Sequence, residues 1–248
     1  MSAADRPVSG SVAGSSAGSA PTPDGRDAPG LLGILGGTFD PIHFGHLRLA
    51  EEVGEALDIA ELRLIPAGAP PHRGAPGAAA ADRLAMARLA VEGNARLVVD
   101  DCEVRAASVA GATSYTVFTL EALRARIGPE RPLALLMGAD AFAGFARWHR
   151  WQSFAGFVHL VVTTRPGHDG FDAIDPGLRD FWWPRITRSV ADLHARACGA
   201  LFFQPITALD ISATRIRALL AAGASTRYLM PEAARAYALE RGLYRPLT

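Results

Sequence analysis

The sequence contains no lysine: all 25 basic residues of the 248-residue chain are arginines. That excludes a Walker A lysine, a Schiff base and a lysine general base, whatever share of the bias comes from GC-rich coding. Cysteine is scarce as well. Cys102 and Cys198 stand far apart and outside any CxxC pattern. Neither a disulfide framework nor a cysteine zinc site is therefore expected, and reducing, cytoplasmic surroundings are the default. Net charge is also missing, since 25 acidic residues balance the arginines. No strong field of one sign exists to draw in nucleic acid or an acidic membrane, so neither is expected as a partner. No uninterrupted apolar run approaches the roughly 18–20 residues of a membrane span. What the chain does have is 49% hydrophobic and 20% charged residues, enough to bury a sizeable core.

Residues 1–30 differ from the rest. Twenty-one of the thirty are Gly, Ala, Ser or Pro, and two valines are the only bulky apolar residues past Met1. Such a segment cannot offset its ordering entropy by burial, so a disordered low-complexity tail is expected. It lacks the apolar stretch of a signal peptide. The folded domain is then expected over residues 31–248.

From Leu31 onward strands alternate with helices. Short apolar runs at Leu31–Gly36, Leu62–Ile65, Leu97–Asp100, Leu133–Met137, Val158–Thr163 and Leu201–Phe203 read as buried strands. Helical spacing marks Gly45–Leu57, a helix capped by Asp82, Tyr115–Ile127, Ser212–Ala222 and Pro231–Arg241, the last with proline at its first position. This alternation predicts an α/β fold: one Rossmann-like, doubly wound parallel sheet with helices on both faces.

Two stretches carry chemistry. The first is Gly36-Gly37-Thr38-Phe39-Asp40-Pro41-Ile42-His43-Phe44-Gly45-His46. Paired glycines at a strand end allow close approach of a ligand, and the following helix aims its amides and positive dipole end at the same place. His43 and His46, three residues apart, share a face and can donate to anionic oxygens. Two other readings are open: Asp40, His43 and His46 as zinc ligands, or two partly exposed surface histidines. The spacing of Gly33, Gly36 and Gly37 does not fit a GxGxxG fingerprint. In the second stretch, Ser212 is a good helix N-cap and Thr214 and Arg217 face the same way. Hydroxyl, guanidinium and helix end make another anion site, or an ordinary capped surface helix.

These residues carry a family resemblance. GGTFDPIHFGH resembles the HxGH signature of the nucleotidyltransferase superfamily, and within it the bacterial nicotinate-nucleotide adenylyltransferases. Further motifs agree in order over about residues 31 to 246: Pro70-Pro71-His72-Arg73, Thr113-Ser114-Tyr115-Thr116, Gly138-Ala139-Asp140 followed by Phe145, Trp148 and Trp151, Arg165-Pro166-Gly167, Ile211–Arg217, Tyr228–Pro231 and Gly242-Leu243-Tyr244. The resemblance implies adenylyl transfer from ATP to nicotinate mononucleotide, yielding deamido-NAD and pyrophosphate. It implies His43, His46 and Arg217 as catalytic residues. It places Gly36, Gly37, Thr38, Phe39, Gly138, Asp140, Ser212 and Thr214 around ATP, and His72, Arg73, Tyr115, Thr116 and Trp148 around the nicotinate nucleotide. No metal ligands are assigned among the side chains. Mg²⁺ is expected on the ATP phosphates, with Asp40 either an outer-sphere partner or a turn residue before Pro41.

A substrate phosphate is already ionised near neutral pH, so no general base is needed, which fits the absence of a triad. Core packing is the preferred reading of Trp151, and Phe181-Trp182-Trp183 is expected to be a cover or a subunit contact. A homo-oligomer is left open. Class I aminoacyl-tRNA synthetases share an HxGH-like motif, but their second signature needs lysines. Transferases acting on pantetheine phosphate, choline phosphate or the amide nucleotide, and a non-catalytic nucleotide-binding module, are the alternatives.

Overall fold

The computed structural model describes residues 30–70, 75–110, 115–164, 174–207 and 209–245. The expected tail thus lies outside the described residues, apart from Gly30. Six strands form one sheet: β1 (Leu32–Gly37), β2 (Glu61–Pro66), β3 (Leu97–Val99), β4 (Leu133–Gly138), β5 (His159–Thr164) and β6 (Leu201–Pro205). Their order is β3-β2-β1-β4-β5-β6 and every pairing is parallel. The chain winds one way from β1 to β3 and the other way from β4 to β6. β1 and β4 therefore flank the switch point, where the carboxyl ends of a doubly wound sheet leave a crevice for a ligand.

The strands are apolar on both sides because helices cover both faces. On one face Leu35, Leu62, Leu64, Leu136, Val161 and Phe202 pack against α1 (Phe44–Ala56), α2 (Ala80–Ala90), α7 (Val190–Ala195), α8 (Ala213–Ala221) and α9 (Glu232–Glu240). On the other, Leu32, Ile34, Leu135, Met137, Leu160 and Val162 pack against α4 (Thr116–Ile127), α5 (Ala139–Ala143), the short turns at 145–156 and α6 (Pro176–Trp182). No helix among the described residues is long and apolar enough to cross a membrane.

The departures from the sequence reading are local. α3 (Cys102–Ala110) was not expected. Asp82 does not cap α2, whose N-cap is Ala79; its carboxylate instead accepts from the Tyr237 hydroxyl at 2.9 Å. Pro231 is the N-cap of α9, one position before the helix. Trp182 is neither cover nor contact: its side chain is fully buried in the core, because α6 lays it against the sheet. Trp151 packs partly buried on that same core, as preferred. Cys102 and Cys198 are free.

The amino end of the sheet is closed by two polar side chains, the half-buried Arg124 and the buried His159. Arg124 donates to the carbonyls of Arg131 and Ala197 at 2.6 and 2.7 Å and to that of Phe157. His159, fully buried, holds the Arg196 carbonyl with Nε2 at 2.8 Å and accepts the Ala200 amide with Nδ1 at 3.0 Å.

Candidate active site

The two glycines ending β1 serve different ends. A Cβ on Gly36 would meet nothing within 4 Å, whereas one on Gly37 would come within 2.9 Å of the Phe39 ring. Gly36 leaves room beside the crevice, and Gly37 makes room for Phe39. The chain then turns sharply, with Phe39 in the left-handed region at φ 47°, which a bulky residue adopts only when its surroundings hold it there. The Phe39 ring faces inward. The ring is 2% exposed and stands edge-on to His46, 5.0 Å between centroids. It supports the histidine from behind.

His43 and His46 are stacked, centroids 3.8 Å apart and planes 23° from parallel. Two imidazolium ions could not share that arrangement cheaply, and one of them does not charge: burial lowers the His43 pKa to about 4. The His43 ring makes no cap hydrogen bond of ordinary geometry, and its buried Nδ1 has no partner. His46 Nδ1 accepts the main-chain N–H of His43 at 3.3 Å, which places the proton of the neutral ring on Nε2. The first amide of α1 is not offered to a ligand, because Phe44 N–H donates to the Leu229 carbonyl at 3.1 Å.

The second turn meets the first. Ser212 caps α8, its hydroxyl accepting from Arg215 N–H at 3.3 Å. Arg217 reaches back from α8 to the 38–46 turn, donating to the Asp40 carbonyl at 2.6 Å and to the Thr214 hydroxyl at 3.2 Å. The Ile211 carbonyl lies 3.5 Å from where a Gly45 Cβ would be, and that same Cβ would be 3.0 Å from the His43 ring. Histidine pair and arginine therefore border one space.

Asp40 is more than a turn residue. It is 6% exposed. Its carboxylate accepts from the amides of Gly77 and Ala78 at 2.7 and 3.1 Å and from the Tyr244 hydroxyl at 2.8 Å. These three donors hold the carboxylate in place. Among the described residues no group of three or more His, Cys, Asp and Glu side chains is placed to hold a metal ion.

Beneath this turn lies Arg83, 1% exposed, which the sequence reading passed over. Its guanidinium donates to the carbonyls of Thr38, Ala67, Gly68 and Ala78 at 2.6, 2.7, 3.3 and 3.3 Å. One side chain thereby fastens the two loops that follow β1 and β2. The available signal was a lone arginine beside Leu84 and Met86 on the buried face of its helix.

Across the switch point, Gly138 ends β4 as the N-cap of α5, and Asp140 is exposed in the first turn of that helix. Tyr115 is the N-cap of α4, immediately before Thr116, and both are half-buried. The Tyr115 ring lies 4.8 Å from that of His149 and 6.0 Å from that of Phe118. His149, exposed and not foreseen, adjoins Trp148, which is half-buried on Phe145 and Phe154. Tyr115 and Trp148 are thus brought to one region. His72, Arg73, Thr113, Ser114 and the Arg165–Gly167 turn lie outside the described residues.

A doubly wound sheet with two anion-type turns meeting at its switch point is a frame for handling nucleotides. Residues 34–219 match the family model described as cytidylyltransferase-like, and the chain falls in that class. A protein of Dechloromonas aromatica named "Probable nicotinate-nucleotide adenylyltransferase" is 47% identical over 215 residues, covering 86% of this chain and 97% of that one. A like-named protein of Pseudomonas syringae pv. tomato is 46% identical over 217 residues, covering 88% and 95%. The chain belongs to the nicotinate-nucleotide adenylyltransferase family. The solved Plasmodium falciparum nicotinic acid mononucleotide adenylyltransferase complexed with NaAD shares the fold, with a TM-score of 0.64 at 14% identity over 86% of this chain and 97% of that chain.

Proposed function

We propose that this protein transfers the adenylyl group of ATP to nicotinate mononucleotide. A phosphate oxygen of the mononucleotide forms a bond to the α-phosphorus of ATP, and the bond from that phosphorus to the β-bridging oxygen breaks. Pyrophosphate leaves with the electron pair, deamido-NAD remains, and no proton has to move. The observation that carries this reading is the meeting of the stacked His43–His46 pair with Arg217 on one space at the β1/β4 switch point.

Catalysis in such a reaction is positioning and charge neutralisation, since the nucleophile is already anionic. His46, as the Nε2–H tautomer, donates to a phosphate oxygen whose charge grows in the transition state. His43, kept neutral by burial, stacks behind it. Arg217 binds the departing phosphates, beside the Ser212 and Thr214 hydroxyls at the start of α8. Gly36, Gly37, Thr38, Gly138 and Asp140 border the adenosine, with Phe39 taking part through its main chain. Tyr115, Thr116 and Trp148, with His72 and Arg73, receive the nicotinate nucleotide, where ring stacking is worth on the order of 1 kcal/mol. Mg²⁺ bound with ATP would offset repulsion between the two anions, held through the substrate phosphates. The working compartment is the cytoplasm.

The test is pyrophosphate release from ATP and Mg²⁺ with nicotinate mononucleotide, and separately with nicotinamide mononucleotide, pantetheine phosphate and choline phosphate. The acid nucleotide is expected to give the highest kcat/KM. Higher kcat/KM with another acceptor, or ATP binding without turnover on any of them, overturns the reading.

A further inference from the structure

We infer that Tyr244 is a positioning residue for Arg217: its hydroxyl keeps the Asp40 carboxylate from closing its loose ion pair with the guanidinium into a direct hydrogen bond, which leaves that cation available to a polyphosphate. This rests on the adenylyl-transfer reading and deepens it by bringing the chain's C-terminal segment into the ATP site.

The geometry is a contest for one carboxylate. Asp40 Oδ1 takes the Tyr244 hydroxyl at 2.8 Å and the Ala78 amide at 3.1 Å, while Oδ2 takes the Gly77 amide at 2.7 Å. Arg217 Nη1 lies 3.7 Å from Oδ2, a loose ion pair without a hydrogen bond, and spends its hydrogen bond on the Asp40 main-chain carbonyl at 2.6 Å. A second cation, Arg83, interacts with both Asp40 and Tyr244, but its carbonyl partners fix it in place. Arg217, with a third of its side chain exposed, is the cation able to turn. Without the phenol, Oδ1 loses a donor and Arg217 closes on the carboxylate as a charge-assisted pair. The positive charge facing the ATP site then falls. Gly77 belongs to the same device, because a Cβ there would stand 3.1 Å from the Tyr244 ring and 3.2 Å from the Arg217 side chain. Burial and the neighbouring Asp40 raise the Tyr244 pKa, so the phenol remains a donor throughout the working range.

The experiment is a double-mutant cycle read by calorimetric binding of ATP·Mg²⁺ without acceptor, with thermal melting to show that each variant folds. Tyr244→Phe is expected to weaken ATP binding about fivefold, and Arg217→Met about tenfold or more. In the Arg217→Met background, Tyr244→Phe is expected to change affinity less than about twofold, because its target is gone. Gly77→Ala, which keeps the phenol but crowds it, is expected to follow the same pattern and serves if Tyr244→Phe does not fold. Equal factors in both backgrounds, or unchanged affinity in Tyr244→Phe, overturn the inference. Wild-type protein that binds ATP but releases no pyrophosphate with nicotinate mononucleotide removes the acceptor assignment and leaves this cycle as a valid test. Wild-type protein that does not bind ATP ends both.

Discussion

The two ends of the sheet use the same residue types to opposite purpose. At the amino end, His159 has both ring nitrogens bonded and Arg124 closes the ends of β4 and β5 by capping carbonyls. At the carboxyl end, Arg83 also caps carbonyls, but it does so under the turn that presents His43 and His46. There, His43 keeps a buried Nδ1 with no partner. An unsatisfied buried polar atom costs about 1–3 kcal/mol unless a partner reaches it. His159 and Arg124 have their hydrogen bonds made at the scaffold end, whereas the His43 ring at the working end keeps one unmade.

The sharpest way to break this contrast is at the histidines. His46→Ala is expected to lower kcat at least about 10²-fold with the fold intact, because a donor to the developing phosphate charge is lost. Replacement of His159 by Gln, which retains a donor and an acceptor, is expected to leave kcat within about twofold and to show its cost in thermal stability alone. Steady-state kinetics beside calorimetric melting separates the two. A catalytic loss from His159→Gln as large as that from His46→Ala would erase the difference between the ends.

The arginines give the next largest effect. Arg83→Met and Arg124→Met each strip several carbonyls of their donor and are each expected to cost on the order of 3 kcal/mol in denaturant unfolding. Only Arg83→Met should also reduce kcat/KM, by about tenfold, since the 38–46 turn loses its floor. Equal kinetic losses from both would mean that either residue acts through global stability.

The sequence made the local parts of this machine visible and hid the distant ones. The β1 turn, the His43–His46 spacing, the Ser212 cap and the Thr214–Arg217 pair each span only a few residues of sequence, where periodicity and capping rules apply. The winding of the sheet was legible for the same reason, as apolar runs alternating with helical stripes. Arg83 to Thr38, Asp40 to Tyr244 and Arg217 to Asp40 are contacts between chain segments that only the fold brings together. No spacing rule reaches them. Trp182 was misread because one aromatic run hides which member faces the sheet.

Acid offers a milder probe of the working end. Free histidine titrates near 6.5, whereas His43 in the folded protein does so at about 4. The unfolded chain therefore takes up a proton first as pH falls. Stability from neutral His43 is fully present above pH 6.5 and is lost between 6.5 and 4, amounting to about 2 kcal/mol by pH 5. His159 is lowered by burial as well and adds in the same direction, so His43 is best isolated as the difference between wild type and His43→Gln across that range. An NMR titration of the His43 ring is expected to show a midpoint close to 4; a midpoint above 6 would mean that the ring is solvated and that the two ends do not differ in the way described.

The smallest effect is expected from the chain before β1. Gly30 precedes β1 at the amino end of the sheet, where Leu32 N–H donates to the Pro132 carbonyl at 3.0 Å, and the His43–His46 turn lies at the opposite end of the same strand. Residues 1–29 carry almost no apolar surface with which to reach around the domain. Removing them is expected to leave kcat/KM within about twofold and the melting temperature nearly unchanged. A clear kinetic loss would place part of that segment at the working end, and the separation of a passive end from an active one would then have to be redrawn to include it.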